Sequence, residues 1–241
     1  MDEKKVQLVI GKRGSGKSVL AQHLIGDAER LVVFDIMSEY GNGVTFDSED
    51  IPCLVAFWRQ VYKGSFRIVY RPIDPKVEIE WLAEAVYVLG DLTFVVEEID
   101  SVCTPYDVPW AMRQVIQRGR HKNIQLIGVT PAPFGIHRDL TRQAKDLFIF
   151  STNEPRDIQY LRGLLGEKIE PALAGLGKYE FVHWTQESEI LRIGIVYNGQ
   201  ITYRDKEGNK EENKKADRDA GRDAARDAEE RIQSVPGDGE H

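Results

Sequence analysis

The sequence is poor in the cysteines, clustered histidines and long apolar runs that are typical of secreted, metal-binding and membrane-spanning proteins. Its two cysteines, Cys53 and Cys103, are too far apart in the chain to form a short metal-binding motif, and its five histidines are scattered. No apolar run reaches the roughly 18 residues that a membrane-spanning helix needs. The charged N-terminal residues do not resemble a signal peptide. We therefore expect a cytoplasmic protein with buried thiols that take no part in its chemistry.

Positively charged residues are also fewer than negatively charged ones. The chain has 32 Lys and Arg residues against 39 Asp and Glu residues, which gives a net charge of −7. This balance argues against a protein that covers nucleic acid with its whole surface. It leaves open a ring that contacts DNA only through a small basic pore.

The remaining composition is ordinary for a globular protein, and 241 residues suffice for one large α/β domain. Short continuous apolar runs are typical of strands in a parallel sheet. They occur at residues 6–10, 31–34, 66–70, 93–96, 124–129 and 147–150. Segments of helical character alternate with them, at 19–25, 54–62, 77–89, 110–117, 136–143 and from Pro155 onward. The order predicts an α/β fold with a mostly parallel central sheet flanked by helices.

Three other segments complete the predicted organisation. Residues 42–50 are predicted to be a polar loop, and residues 179–184 and 190–196 a C-terminal β-hairpin. Residues 205–241 contain no aromatic side chain and carry an Arg-Asp-Ala repeat that begins at Arg218. We predict one domain at 1–204 and a charged tail at 205–241, flexible or partly helical. A docking arm for a partner is the alternative for this tail.

The first apolar run is followed by the pattern G-x-x-x-x-G-K-S, the phosphate-binding loop of P-loop NTPases. Glycines allow a tight turn whose main-chain N–H groups point at one anion, at the positive end of the helix dipole. Lys17 is predicted to reach the β- and γ-phosphates and Ser18 to bind Mg²⁺. The predicted nucleotide-binding residues are Gly11, Lys12, Arg13, Gly14, Ser15, Gly16, Lys17, Ser18 and Val19.

Two acids, Glu97 and Glu98, follow the apolar run at 93–96. Beside a phosphate loop, this arrangement indicates the second half of an NTPase site. We assign Glu97 to the magnesium shell and Glu98 to orienting and deprotonating the attacking water. A register in which Asp100 is the metal-side acid stays open. Without the upstream loop, the same acids would be typical of a solvated strand edge.

A basic segment, which includes Arg118 and Arg120, precedes the apolar run at 124–129. Two interpretations are open. These cations are either solvated surface, or one arginine reaches the γ-phosphate bound by a neighbouring subunit and stabilises the charge that develops in phosphoryl transfer.

Several motifs, taken together and in order, resemble those of the FtsK/HerA superfamily of DNA-pumping ATPases. Besides the phosphate loop and Glu97-Glu98, the motifs are Asp35-x-x-x-Glu39-Tyr40, Arg118-Gly119-Arg120-His121-Lys122-Asn123-Ile124, Asp139-Leu140-Thr141-Arg142-Gln143-Ala144 and Glu154-Pro155-Arg156-Asp157. The similarity spans about residues 5 to 165. It implies a RecA-like ATPase core that uses ATP and Mg²⁺ and forms a ring, a hexamer or pentamer, around double-stranded DNA.

The resemblance also implies roles for individual residues. The arginine that acts in trans falls on Arg118 or Arg120, with Arg120 favoured and Arg142 and Arg156 also open. Thr130 takes the position beside the γ-phosphate sensor. Family members have the sensing Gln after this threonine, whereas this chain has Pro131, so either Thr130 alone senses the γ-phosphate or the coupling to hydrolysis differs.

An ATPase core with little more than a small hairpin added to it is similar to the genome-packaging ATPases of membrane-containing icosahedral viruses. We therefore predict a viral packaging motor in the host cytoplasm. A portal or capsid-vertex protein is a candidate partner. Residues 104–108 and 134–138 are candidate pore segments. The alternatives are a DNA-repair or plasmid-mobilising ATPase of the same superfamily, and a nucleotide-switched phage assembly factor that does not pump DNA. A small-molecule kinase is least favoured, because no arginine-rich lid segment is found.

Overall fold

The computed structural model describes residues 4–188, 191–197, 199–204 and 210–211. The chain divides into two compact units between Ile201 and Thr202. Apart from two residues, the tail predicted at 205–241, with its Arg-Asp repeat, lies outside the described residues, as does Ile190 of the predicted hairpin. None of the helices in the described ranges is long and apolar enough to cross a membrane.

Strands and helices alternate along most of the chain. The strands are β1 (Val6–Ile10), β2 (Arg30–Phe34), β3 (Val44–Asp47), β4 (Phe66–Arg71), β5 (Leu92–Val96), β6 (Ile124–Thr130), β7 (Ala144–Phe150), β8 (Glu180–Thr185), β9 (Leu191–Tyr197), β10 (Gln200–Arg204) and β11 (Lys210–Glu211). The helices are α1 (Lys17–Ile25), α2 (Ile51–Val61), α3 (Pro75–Leu89), α4 (Trp110–Arg118), α5 (Arg138–Gln143), α6 (Pro155–Leu165) and α7 (Ile169–Ala174).

The sheet of the first unit has the strand order β3-β4-β2-β5-β6-β1-β7-β8-β9. Strands β1 to β7 run parallel to one another, whereas β8 pairs antiparallel with β7 and β9 pairs antiparallel with β8. The predicted α/β class with a mostly parallel sheet is confirmed. In the second unit, the end of β10 pairs antiparallel with β11. Because β1 to β7 are parallel, their carboxyl ends share one edge, and ligands bind at this edge in open α/β sheets.

The core consists of the apolar strands and the helix faces that cover them. Strands β1 and β5 are buried at every residue, as expected for strands with helices on both faces. In helix α3, only some of the apolar residues pack against the core. Ile79, Leu82 and Val86 are fully buried, whereas Val77 and Val88, which the periodicity placed on the packed face, are 65% and 72% exposed. The helix was predicted correctly, but the apolar face assigned to it was partly wrong.

Three further predictions need correction. The segment predicted as a polar loop contains β3, a short edge strand in which Phe46 is the one buried residue, so no apolar pattern indicates it. The thiol of Cys103 is buried as expected, but Cys53 is exposed, because helix α2 directs Leu54 and Trp58 inward instead. Tyr179, predicted as the first residue of a strand, lies in a turn before β8.

A buried carboxylate connects strands at the amino edge of the sheet. Asp146 in β7 forms an ion pair with Lys5 at 2.6 Å and accepts a hydrogen bond from Gln7 at 3.0 Å, and its other oxygen lies 3.1 Å from His183 Nε2. Burial alone would raise the pKa of Asp146. The hydrogen bonds from His183 and Lys5, with the charge of Lys5, outweigh burial and lower the pKa to about 2.

We predict that Asp146→Asn destabilises the protein at neutral pH and not in acid. A carboxyl whose pKa is about 2 when folded contributes about 2 kcal/mol above its unfolded pKa, and this contribution is lost as the pH falls through the folded pKa. Urea unfolding should show a constant difference in unfolding free energy from pH 7 to about 5 that narrows below about pH 4. The exposed Asp27→Asn is the matched control. A pH-independent difference would contradict this account.

Candidate functional site

The phosphate loop is fixed at both ends by main-chain hydrogen bonds. Gly11 N donates to Thr130 O at 3.1 Å, which ties the start of the loop to the end of β6. Leu20 N donates to Gly16 O at 3.0 Å and begins helix α1. Gly16 has a φ of 107°, a conformation that L-residues with a side chain rarely adopt. At Gly11 a Cβ atom would lie 2.6 Å from Phe150 Cβ, so only glycine fits there.

The loop presents donors suited to a phosphate group. Lys17 Nζ donates to Lys12 O at 3.2 Å, so the lysine folds back over the loop, and its ammonium carries two further protons. Ser15 Oγ is buried and has no hydrogen-bond partner within the described residues. A buried hydroxyl without a partner is costly, and an anion in the loop would satisfy it. These features fit the predicted nucleotide phosphates.

Most of the predicted phosphate-loop residues and the pair of acids line one cavity of about 330 Å³, whereas Gly11, Lys12 and Ser15 are not among its lining residues. Its walls come from the phosphate loop and α1, from the acids after β5, from the segment after β2, from the end of β6 and from the turn before β8. The lining residues are Arg13, Gly14, Gly16, Lys17, Ser18, Val19, Met37, Glu39, Glu97, Glu98, Pro131 and Tyr179. Two segments far apart in sequence, the loop and Glu97-Glu98, therefore meet.

The two acids after β5 differ in their environment. Glu97 is 2% exposed and accepts a hydrogen bond from Tyr40 Oη at 3.1 Å. Burial raises the pKa of Glu97 to about 7, and the carboxylates of Glu39 and Glu98 act in the same direction, against the Tyr40 hydrogen bond. Glu98 is half-buried, with a φ of 46°, and burial raises its pKa as well. An unusual backbone conformation beside a ligand cavity is typical of functional residues.

The segment after β2 reaches into the same cavity. Asp35 is fully buried and accepts hydrogen bonds from Glu39 N at 2.9 Å and Tyr40 N at 3.2 Å, and Arg71 Nε lies 3.4 Å from it. These contacts hold Glu39 where its carboxylate accepts a hydrogen bond from Ser18 Oγ. The sequence marked this segment both by its place after a buried strand, at the ligand-facing edge of an open α/β sheet, and by its resemblance to a family motif. Its proximity to Ser18 and Glu97 could not be read from the spacing.

The oxygen atoms near Ser18 fit a magnesium ion bound together with phosphates. Mg²⁺ usually takes one or two protein oxygens and completes its shell with phosphate oxygens and water. The Ser18 hydroxyl and the Glu97 carboxylate supply such oxygens, and Glu39 adds a third at the same wall. Within the described part of the chain, no group of three or more His, Cys, Asp or Glu side chains could hold a metal on its own.

Thr130, the predicted sensor, is fully buried and does not point its hydroxyl into the cavity. Its Oγ1 donates to Asp100 Oδ1 at 2.9 Å, while Pro131 lines the cavity. Asp100, the alternative metal-side acid, is therefore engaged with the end of β6. Burial raises the pKa of Asp100, against the hydrogen bond from Thr130. The hydrogen bond between Thr130 and Asp100 connects the segment after Glu98 to the segment after β6.

The candidate trans arginines lie at both edges of the sheet. Arg118 and Arg120 are exposed and precede β6, and Arg142 is exposed and precedes β7, so all three lie at the amino edge, away from the phosphate loop. Arg156 is exposed at the start of α6, which follows the carboxyl end of β7. Arg118, Arg120 and Arg142 therefore lie too far from the phosphate loop of their own chain to contact a phosphate bound there.

The fold matches solved structures of nucleoside triphosphatases. The genome-packaging NTPase B204 of Sulfolobus turreted icosahedral virus 2, in complex with AMPPCP, gives a TM-score of 0.65 at 20% identity over 80% of this chain and 98% of that one. B204, the DNA-packaging ATPase from Sulfolobus turreted icosahedral virus, gives 0.64 at 17% identity over 80% and 98%. The chain has the fold of a genome-packaging NTPase.

A more distant match is VirB4 of Thermoanaerobacter pseudethanolicus, with a TM-score of 0.54 at 14% identity over 79% of this chain and 89% of that one. No protein-family model and no curated protein matches the sequence. At these identities the comparisons show a shared fold, and that fold is the one that the motif resemblance led us to expect.

We predict that Tyr40→Phe moves the acid limb of the kcat/KM profile for Mg·ATP to higher pH. The Tyr40 hydrogen bond lowers the pKa of Glu97, which is about 7, so its loss raises that pKa. An acid that must be ionised then acts only at higher pH, and one hydrogen bond corresponds to a shift of roughly 0.5–1 pH unit. The profile of kcat/KM reports the free enzyme. The control Tyr62→Phe, on the surface, should leave the pH profile unchanged. An unshifted profile in Tyr40→Phe would contradict the role of the hydrogen bond between Tyr40 and Glu97.

Proposed function

We propose that this chain is a Mg²⁺-dependent ATPase that forms a ring and moves double-stranded DNA, as the packaging motor of a viral genome. The observation that carries the proposal is the cavity in which the phosphate loop meets Glu97 and Glu98. A phosphate site beside a pair of acids is what hydrolysis of a phosphoanhydride requires. The packaging role is supported by the shared fold with B204 and by the order of the sequence motifs.

The proposed chemistry divides among the residues of the cavity. The loop N–H groups and Lys17 hold the β- and γ-phosphates, which positions the terminal phosphate for in-line attack. Glu98 orients the attacking water and accepts its proton, a role that suits a half-buried carboxylate with a raised pKa. Glu97 and Ser18 would hold Mg²⁺, which neutralises developing charge when bound. Tyr40 positions Glu97 through its hydroxyl, and Asp35 holds the segment that carries Tyr40.

The proposed coupling to DNA runs through the two candidate pore segments. The main chain links them closely, because His137 N of the second segment donates to the oxygen of Cys103, the residue before the first segment, at 3.0 Å. Asp100 and Thr130, each four residues before one of the segments, are hydrogen-bonded to each other, and Asp100 lies two residues after Glu98. A change at Glu98 on hydrolysis would therefore reach both segments together. Tyr106, 97% exposed, and the exposed Arg138 are the side chains best placed to contact a partner there.

We predict that linear double-stranded DNA stimulates steady-state ATP hydrolysis severalfold, and that the stimulation fades with added salt. Contacts with the phosphate backbone are sequence-independent and release counterions, which makes them salt-sensitive. Lys17→Ala should lose ATP binding. Glu98→Gln should keep ATP binding and lose roughly a hundredfold or more in turnover, because a general base is removed. Arg138→Ala should weaken stimulation, whereas Arg59→Ala on helix α2 should not.

The same experiment separates the alternatives. A flat response to DNA, with Glu98→Gln inactive, would leave an ATPase and refute an autonomous translocase, which favours a nucleotide-switched assembly factor. Stimulation only in the presence of a co-purifying nuclease would favour a DNA-repair or plasmid-mobilising ATPase. A portal or capsid-vertex protein is the partner expected for a packaging motor.

We predict that two inactive variants regain activity when mixed, if an arginine acts between subunits. Lys17→Ala keeps its arginine and Arg120→Ala keeps its phosphate loop, so in a randomly mixed ring about a quarter of the interfaces would combine both intact parts. The mixture should then hydrolyse ATP, whereas each variant alone does not. Arg118→Ala, Arg142→Ala and Arg156→Ala identify which arginine is used.

The matched control for this mixing experiment is Lys17→Ala with Glu98→Gln. Both defects affect the subunit that supplies the phosphate loop, so no mixed interface is complete and no activity should return. Recovery in this control, or no recovery with any arginine variant, would contradict an arginine supplied in trans.

A further inference from the structure

The cavity extends beyond the phosphate loop to a residue that the sequence did not mark. Tyr179 lies in the turn before β8 and lines the same cavity as Lys17 and Glu98. It is on the other side of β1 from the acids, because β6 and β5 lie on one side of β1 and β7 and β8 on the other. The start of β8 pairs with the end of β7, Phe181 opposite Phe150, which places Tyr179 at the carboxyl edge.

The position of Tyr179 is fixed by contacts with the loop and with β9. Its φ is 64°, which is unusual for a bulky residue. Its main-chain oxygen accepts a hydrogen bond from Val196 N at 3.0 Å. Its ring atom Cδ1 lies 3.3 Å from where a Cβ atom on Gly16 would be, and Lys178 Nζ lies 4.8 Å from the ring centroid. A strained backbone held by such contacts beside a cavity indicates a functional role.

The direction of a bound nucleotide follows from the acids. The γ-phosphate must lie near Glu98, because this residue is proposed to orient the attacking water. The nucleoside must then extend away from the acids, over the loop and the start of α1. Tyr179 is the aromatic residue lining that end of the cavity within the described chain. Aromatic side chains provide stacking surfaces that every base can use.

We propose that the Tyr179 ring is the surface on which the base of the bound nucleoside triphosphate stacks, an inference that rests on the proposed ATPase function. The site then selects its ligand by ring area, because a purine covers more of the tyrosine than a pyrimidine does. In this way the stack would favour a purine nucleotide over a pyrimidine nucleotide.

The experiment compares ligands with and without a base, using the full chain and isothermal titration calorimetry. The ligands are AMPPCP, its cytidine counterpart CMPPCP, and inorganic tripolyphosphate, each with Mg²⁺. The variants are Tyr179→Phe, which keeps the ring, and Tyr179→Asn, which removes it. Asparagine tolerates a positive φ, so a loss in this variant cannot come from added backbone strain. Equal unfolding temperatures establish that both variants fold.

We expect Tyr179→Asn to raise the Kd for AMPPCP about tenfold or more, the size of a lost base–aromatic stack. The Kd for tripolyphosphate should not change, and Tyr179→Phe should bind all three ligands as the wild type does. The preference of the wild type for AMPPCP over CMPPCP should shrink in Tyr179→Asn.

Two outcomes would overturn the proposal. Tyr179→Asn could bind AMPPCP as tightly as the wild type does, or it could lose the same factor for tripolyphosphate, which would show that Tyr179 only shapes the loop through Gly16. Failure of the ATPase proposal looks different. There, the wild type itself would bind neither AMPPCP nor tripolyphosphate.

Discussion

The parallel register of β1 against β6 determines where each part of the candidate site lies. Ile10 at the end of β1 is paired with Thr130 at the end of β6, so the phosphate loop begins level with the residue whose main-chain oxygen holds it. Val96 of β5 is paired with Gly128 of β6, which brings Glu97 to the same edge. A one-residue shift of this register would turn every side chain of β1 to the opposite face of the sheet and would displace the loop from the acids.

The side chains that line the site carry an excess of negative charge. Glu39, Glu97 and Glu98 line the cavity with two cations, Lys17 and the exposed Arg13. Burial and mutual repulsion already raise the pKa of Glu97. A triphosphate would add several negative charges, which a single buried lysine does not offset. The divalent ion and the arginine of a second subunit that we propose would balance this charge.

The sequence predicted the parts of this molecule that have a local signal. The phosphate loop has a fixed spacing, and strands such as β5 are continuous apolar runs, so both could be placed in advance. Strand β3 has a single buried residue, Phe46, and therefore no periodicity to detect. The contacts of Glu39 with Ser18 and of Tyr179 with the loop depend on strand order, which brings together residues that are far apart in sequence.

Strand β3 also limits how copies of this chain can associate. It lies at the edge of the sheet and is four residues long, so it offers few unpaired main-chain groups to another strand. Its last residue, Asp47, accepts a hydrogen bond from Glu49 N at 2.9 Å and turns the chain directly into a 3₁₀ turn. A neighbouring subunit would gain little by extending the sheet at this edge. Assembly there would use helices and loops, which can shift against each other without breaking a hydrogen-bonded ladder.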